Sequence, residues 1–269
     1  MTEPLHQTIL LADIEGSGRS DDVVRRVKRH HMYEVVQCTL DAAGVSRTDQ
    51  RLEDRGDGVL ALVSAAVPKA ALLRAMLTEI PARLHDYNRI AADSSRVRLR
   101  TVLAAGEVAL DEIPGALGGV IGWDLDQAFR LLDSEPLRAE LRRRRDSGGT
   151  GEDAVICVSE AVFGGVVRHD HHGIRRAAFH PFTVEGKEGP VRGWLYGEPT
   201  REREPAGNEE HGGHAGPASR PGGARPPAGA VFNGPYVAGN QYGVSGGQVG
   251  GDVVMGNKIV GDGTGGERP

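Results

Sequence analysis

Two aspartates stand out as residues that could do chemistry. In Leu11-Ala12-Asp13-Ile14-Glu15-Gly16, Asp13 ends a strand-like apolar run with Gly16 three residues on, and in Arg55-Gly56-Asp57-Gly58-Val59-Leu60, Asp57 sits between two glycines ahead of another. Residues 8–13 read as one buried strand and residues 58–63 as another. If those strands are neighbours, both carboxylates face one cleft. Carboxylates that close repel unless a divalent cation lies between them, which points to a Mg²⁺ or Mn²⁺ site of the two-ion phosphoryl-transfer type. Each residue alone has a plainer reading, Asp13 as a helix cap and Asp57 as a hairpin-turn residue.

Such a site needs a folded domain, and glycine marks its extent. Of the 39 Gly and 15 Pro, 19 and 8 fall within the last 71 residues, a composition that cannot pack a core. The expected organisation is therefore a folded domain over 1–198, a flexible linker over 199–230, and a Gly/Val/Asn-rich tail over 231–269. The net charge of −5 gives no general pull toward nucleic acid or an anionic membrane. The basic runs Arg25 to Arg29 and Arg142 to Arg145 read as solvated helix faces or ends. Cys38 and Cys157 fall in segments that look buried, without disulfide or metal-thiolate spacing. No apolar run reaches the length of a membrane span, and the start of the chain lacks a secretory pattern, so a cytoplasmic location is expected.

The elements that must position the aspartates follow from periodicity. Val23, Val24, Val27, Met32, Val35, Val36 and Leu40 recur at helical spacing between Asp21 and Ala43, and Gly44 ends that helix. A strand from Val45 to about Glu53 turns through Asp54 to Gly56 into the strand at Gly58. Pro68 opens a second helix, with Pro81 as a candidate kink. Arg96 to Ala104 alternate as a strand with one wet face at its start. A Gly-rich stretch from Gly115 to Gly122 leads into a helix over Trp123 to Leu132. Then come a strand at Ala154 to Val158, a short helix from Ser159, and strands near Arg175 to Glu185 and Val191 to Tyr196. The order β-α-β-β-α-β predicts an α+β, ferredoxin-like mixed sheet with helices on one face.

In order and spacing, several segments resemble the catalytic domain of class III nucleotidyl cyclases. They are Asp13 to Gly16 closing a strand, Glu53 to Gly58 in a hairpin, Arg98 to Glu107 as a strand ending Ala-Gly-Glu, Gly122 to Leu131, and Val184 to Val191 as a closing Lys-Gly hairpin. The resemblance covers roughly residues 8–197. It implies two divalent ions held by Asp13 and Asp57 with a backbone carbonyl at Ile14. The implied reaction converts a nucleoside triphosphate to its 3′,5′-cyclic monophosphate and pyrophosphate.

The resemblance also implies that Arg130 neutralises charge on the reacting phosphate. On spacing alone Arg130 equally fits a pair with Asp126, one helical turn away. Base choice is implied at Glu53, where a carboxylate suits guanine and favours GTP over ATP, with a partner position near Gly119 that offers no side chain. The plainer reading of Glu53 is an exposed strand residue. Active members carry Asn where this chain has Asp126, and an ionised Asp cannot donate toward the ribose oxygen. Reduced, altered or absent catalysis is therefore expected, which leaves a nucleotide-binding sensor as the alternative. A head-to-tail homodimer with two equivalent sites is implied, with Trp123 and Phe129 as core or dimer-contact residues.

His169-Asp170-His171-His172 reads as a solvated loop, because ligands on adjacent residues point apart. In the tail, Asn233 to Tyr242 aligns with Gly250 to Ile259 at an offset of 17. Stacked copies would layer Tyr236, Val237, Val253 and Val254 and ladder Asn240 and Asn257. This resembles two-repeat amyloid-signalling motifs and implies partner proteins met through residues 231–263. The plainer reading is a disordered Gly-rich end.

Overall fold

The computed structural model describes residues 3–111, 119–147, 153–186 and 188–197. The linker over 199–230, the tail over 231–269, the glycines before Gly119, and Lys187 of the closing hairpin lie outside them. In chain order the elements are β1 (Leu5–Ile14), α1 (Asp22–Ala42), β2 (Gln50–Asp54), β3 (Gly58–Ser64), α2 (Lys69–Asn88), β4 (Leu99–Asp111) and β5 (Gly119–Ile121). There follow α3 (Trp123–Leu132), α4 (Glu135–Ser147), β6 (Ala154–Ser159), α5 (Glu160–Gly165), β7 (Phe179–Val184) and β8 (Val191–Tyr196). The strands form one mixed sheet in the order β2-β3-β1-β4-β6-β8-β7, with β5 paired to β4. Its first half is the expected βαββαβ unit, antiparallel throughout; β4 and β6 run parallel.

β1 is hydrogen-bonded on both sides, and Ile9 to Ala12 are at most 1% exposed. An unbroken apolar strand needs both faces of its sheet covered. Leu10, Ala12 and Ile14 join Met32 and Val36 of α1 and Leu72 and Met76 of α2 in one core. Ile9 and Leu11 join Leu125, Ala128 and Leu131 of α3 and Leu137 and Leu141 of α4 in the other. The expectation of helices on one face holds for the βαββαβ unit alone; α3 and α4 cover the second face.

Local chemistry sets the element ends. The Asp21 carboxylate accepts from Val24 N–H at 2.8 Å and caps α1, while Gly44 at φ +76° ends it. α2 continues through Pro81. The strand expected from Val45 starts only at Gln50, because Arg47–Asp49 form a 3₁₀ turn. α4 escapes the periodicity reading, since its buried leucines are only Leu137 and Leu141 in an arginine-rich run.

Arg26, Arg142, Arg143 and Arg145 are exposed, as expected of solvated basic runs, but one member of each run departs from that. Lys28 is buried and donates to Ser20 Oγ at 3.1 Å. Arg144 donates to the carbonyls of Ala154 and Tyr196, pinning α4 to β6 and β8. Glu140 is buried, which opposes ionisation, yet hydrogen bonds from Arg143 and Arg144 hold its carboxyl below the usual range. Cys157 is fully buried, and burial pushes its thiol up to about 12; Cys38 is only half-buried. Neither forms a disulfide.

Candidate active site

Strand register delivers the two aspartates to one place. Asp13 lies opposite Gly58 of β3 and opposite Arg100 of β4. The alternation that sends Ala12 and Ile14 toward α1 and α2 turns Asp13 toward α3. Asp57 precedes β3 in a turn made by Gly56 at φ +79°, and its backbone oxygen accepts from Ile14 N–H at 3.0 Å. A side chain at Gly58 would place a carbon 3.0 Å from the Ala12 carbonyl and 3.6 Å from Asp13 Oδ1. Glycine there keeps the approach to the Asp13 carboxylate clear. Ile14 ends β1 with its side chain buried.

Electrostatics mark Asp13 as a site under tension. Burial pushes its carboxyl up to about 6 from an ordinary 3.8; the charge and hydrogen bond of Arg100 oppose this, and the charges of Asp57 and Asp133 add to it. Arg100 donates Nη2 to Asp13 Oδ2 and Nη1 to the Leu132 carbonyl at 3.2 Å, tying the β1 end to the end of α3. Ser17 Oγ donates to Asp57 Oδ2. Two crowded carboxylates with Asp13 Oδ1 facing open backbone are a donor set suited to a hard cation. Among the described residues no group of three or more His, Cys, Asp or Glu converges on one point.

Arg98 and Arg100 are not on a wet face: their side chains are only 12% and 11% exposed. Arg98 pairs with Glu15 as Arg100 pairs with Asp13. The sequence carried a signal for this, an acidic pair spaced by two residues facing a basic pair with the same spacing.

The other predicted residues divide. The Glu53 carboxylate accepts from Arg51 at 3.1 Å and from Arg55 at 3.0 Å, and its side chain is 16% exposed. It is therefore a half-buried, charge-paired residue and not an exposed strand position. Gly119 opens β5 opposite Asp111, with nothing within 4 Å of where a side chain would start. Asp126 is exposed on the α3 face that also carries Trp123 and Arg130. The ion pair of Arg130 runs to Glu188, on the turn between β7 and β8, and not to Asp126. The Arg130 guanidinium lies 5.9 Å from the Trp123 ring centroid, drawn back toward the start of α3 and away from the Leu132 end that Arg100 ties to Asp13. Trp123 is 57% exposed and so is not a core residue, whereas Phe129 is half-buried against the α3 core.

Two glycines seat α3. Asp124 accepts from Glu107 N–H at 3.0 Å, and a side-chain carbon at Gly106 would fall 2.0 Å from that carboxylate. A carbon at Gly122 would fall 2.5 Å from the Glu107 carbonyl. The Ala-Gly-Glu end of β4 is thus a socket for the first turn of α3. In the His169–His171 segment, Asp170 adopts φ 53° and its carboxylate accepts from Arg176 N–H at 2.7 Å.

No protein-family model matches the sequence, and no curated protein matches it. Solved structures do. An adenylate/guanylate cyclase/hydrolase from Silicibacter pomeroyi is 22% identical, with a TM-score of 0.50 over 73% of this chain and 99% of that one. A bacterial light-regulated adenylyl cyclase is 14% identical, also at 0.50, over 72% of this chain and 51% of that one. The described part of this chain has the fold of adenylyl and guanylyl cyclase catalytic domains.

Proposed function

We propose that the domain is a nucleotidyl cyclase acting on a nucleoside triphosphate, with GTP preferred over ATP. The observation that carries this reading is the placement of Asp13 and Asp57 at adjoining strand ends of a cyclase fold, with their charges coupled. Asp13, Asp57 and the Ile14 carbonyl would hold two Mg²⁺ or Mn²⁺ ions. When bound, such ions supply Lewis-acid activation of the ribose 3′-hydroxyl and neutralise triphosphate charge. Arg130 meets the charge that develops on the α-phosphate, and Glu53 accepts from the N1–H and amine of guanine once Arg51 and Arg55 yield it. The Arg130 head is held at the Trp123 end of α3, whereas Arg100 ties Asp13 to the Leu132 end. That separation supports a homodimer in which each site takes its aspartates from one protomer and its arginine from the other. No helix among the described residues is long and apolar enough to cross a membrane.

Incubating the protein with Mn²⁺ and each of the four triphosphates, then identifying products by mass spectrometry, tests the reaction. Release of cyclic GMP is expected, and the absence of every cyclic nucleotide contradicts the proposal. A second reading, a nucleotide-binding sensor with weak turnover, is favoured by Asp126. Asp126→Asn removes a negative charge beside the triphosphate and restores a donor, so turnover is expected to rise by about tenfold to a hundredfold. Unchanged turnover would remove Asp126 from the account.

The pH dependence follows from Asp13. Its folded value of about 6 lies above the ordinary 3.8, so folding favours the protonated form. That contribution to stability is complete below the lower value and is lost as pH rises through the upper one. Above pH 6 the carboxylate is a buried anion that a cation relieves; below it a proton competes. The apparent Mn²⁺ dissociation constant, followed by calorimetry, is expected to weaken about tenfold per pH unit as pH falls below 6. Equal affinity on both sides of that value would show that Asp13 is not a ligand.

A further inference from the structure

We infer that Glu188 is a positioning residue for Arg130, a latch that holds the guanidinium until a triphosphate displaces it. The inference rests on the triphosphate reading above and adds to it a residue of the closing hairpin to which the sequence reading assigned no role.

The geometry of the guanidinium carries the argument. Trp123, Asp126 and Arg130 share one face of α3, and the Arg130 side chain runs back along it until its head lies over the Trp123 ring. On the other side is the β7–β8 turn. A carbon added at Gly186 would fall 3.4 Å from Arg130 Nη1, and the Gly186 carbonyl accepts from Gly189 N–H at 3.1 Å to close that turn. Glu188, carried by the same turn, accepts from Arg130 Nη2. The guanidinium is thus held between an indole, a glycine backbone and a carboxylate.

The pairing is incomplete. Arg130 Nη1 is buried and has no hydrogen-bond partner among the described residues. A buried donor left unpaired is costly, and an arginine fork is built to give two parallel hydrogen bonds to one anion. Glu188 is seen to take only one of the two nitrogens. A phosphate, with more oxygens, can satisfy both. The Glu188 side chain is also 52% exposed, so the pair is screened and exchanges readily. A carboxylate that stayed beside the arriving phosphates would repel them, so Glu188 must leave as the triphosphate binds.

The test is the affinity of the full chain for Mn²⁺–GTP, measured by calorimetry at fixed ionic strength in four proteins: wild type, Glu188→Gln, Arg130→Ala and the double variant. Glu188→Gln is expected to tighten binding by about two- to fivefold, the range of an ion pair this exposed, and to lower KM by a similar factor wherever turnover is seen. The same substitution in the Arg130→Ala background is expected to change nothing, because the latch then has nothing to hold. Tightening of equal size in both backgrounds would reduce Glu188 to a general surface charge and overturn the latch. So would unchanged or weaker binding by Glu188→Gln. Binding by wild type without that gain defeats the latch alone, whereas no nucleotide binding by any of the four defeats the cyclase reading with it. Binding by Glu188→Gln alone supports both.

Discussion

Replacing Asp57 by alanine is expected to lower cyclic-nucleotide release by about a thousandfold or more while the domain stays folded, the loss of several kcal/mol of cation-dependent stabilisation. The two halves of this expectation come from different atoms. The Asp57 backbone oxygen, which accepts from Ile14 N–H and holds the hairpin to β1, survives the substitution. The carboxylate itself is engaged by the Ser17 hydroxyl, a contact worth about 1 kcal/mol. A residue that merely serves the turn would behave the other way, with modest loss of stability and unchanged turnover per folded molecule. Turnover and melting temperature measured on the same preparation separate the two, and Asp13→Ala should match Asp57→Ala in turnover.

Gly106→Ala is expected to cost about 3 kcal/mol, lowering the melting temperature by roughly 6–12 °C for a domain of this size. The new carbon would lie 2.0 Å from the Asp124 carboxylate and 2.2 Å from its Cβ. A swing of the carboxylate cannot relieve the second contact, so the start of α3 must move. The hydrogen bond from Glu107 N–H to Asp124 is lost with it, and the face bearing Asp126 and Arg130 is displaced. Turnover should therefore fall along with stability. Gly164→Ala in α5, where nothing lies within 4 Å, is the control and should leave the melting temperature unchanged or slightly raised. Equal behaviour of the two variants would show that the β4 socket does not seat α3.

Much of this arrangement could be read in the chain because it rests on local chemistry. Asp21 caps α1, Gly44 ends it, and the unbroken run through β1 is a buried strand. That same run needs cover on both faces, since Ile9 and Leu11 need partners as much as Leu10 and Ala12 do, although the order of elements predicts helices on one face only. The second layer stayed hidden because α4 announces itself with only Leu137 and Leu141, two side chains one turn apart amid arginines. What anchors it is polar: Arg144 reaching the carbonyls of two strands.

The site divides along the same line. The placement of Asp13 and Asp57 at adjoining strand ends was legible because each borders an apolar run, Asp57 between two glycines. The partners that tune them were not, since they depend on register and on contacts distant in sequence. Arg100 meets Asp13 across 87 residues, and Glu188 meets Arg130 across 58. Periodicity reports which face a residue is on, not what stands opposite it. Glu53 differs, because its partners Arg51 and Arg55 lie only two residues away on either side, and they turn an exposed strand position into a paired, half-buried one.

Anomalous diffraction from crystals of the protein grown with Mn²⁺ and a slowly reacting GTP analogue addresses the central claim most directly. The account predicts manganese density bounded by the carboxylates of Asp13 and Asp57, lost in crystals of Asp57→Ala. Manganese bound elsewhere, or nucleotide bound with no metal at these two side chains, would contradict it.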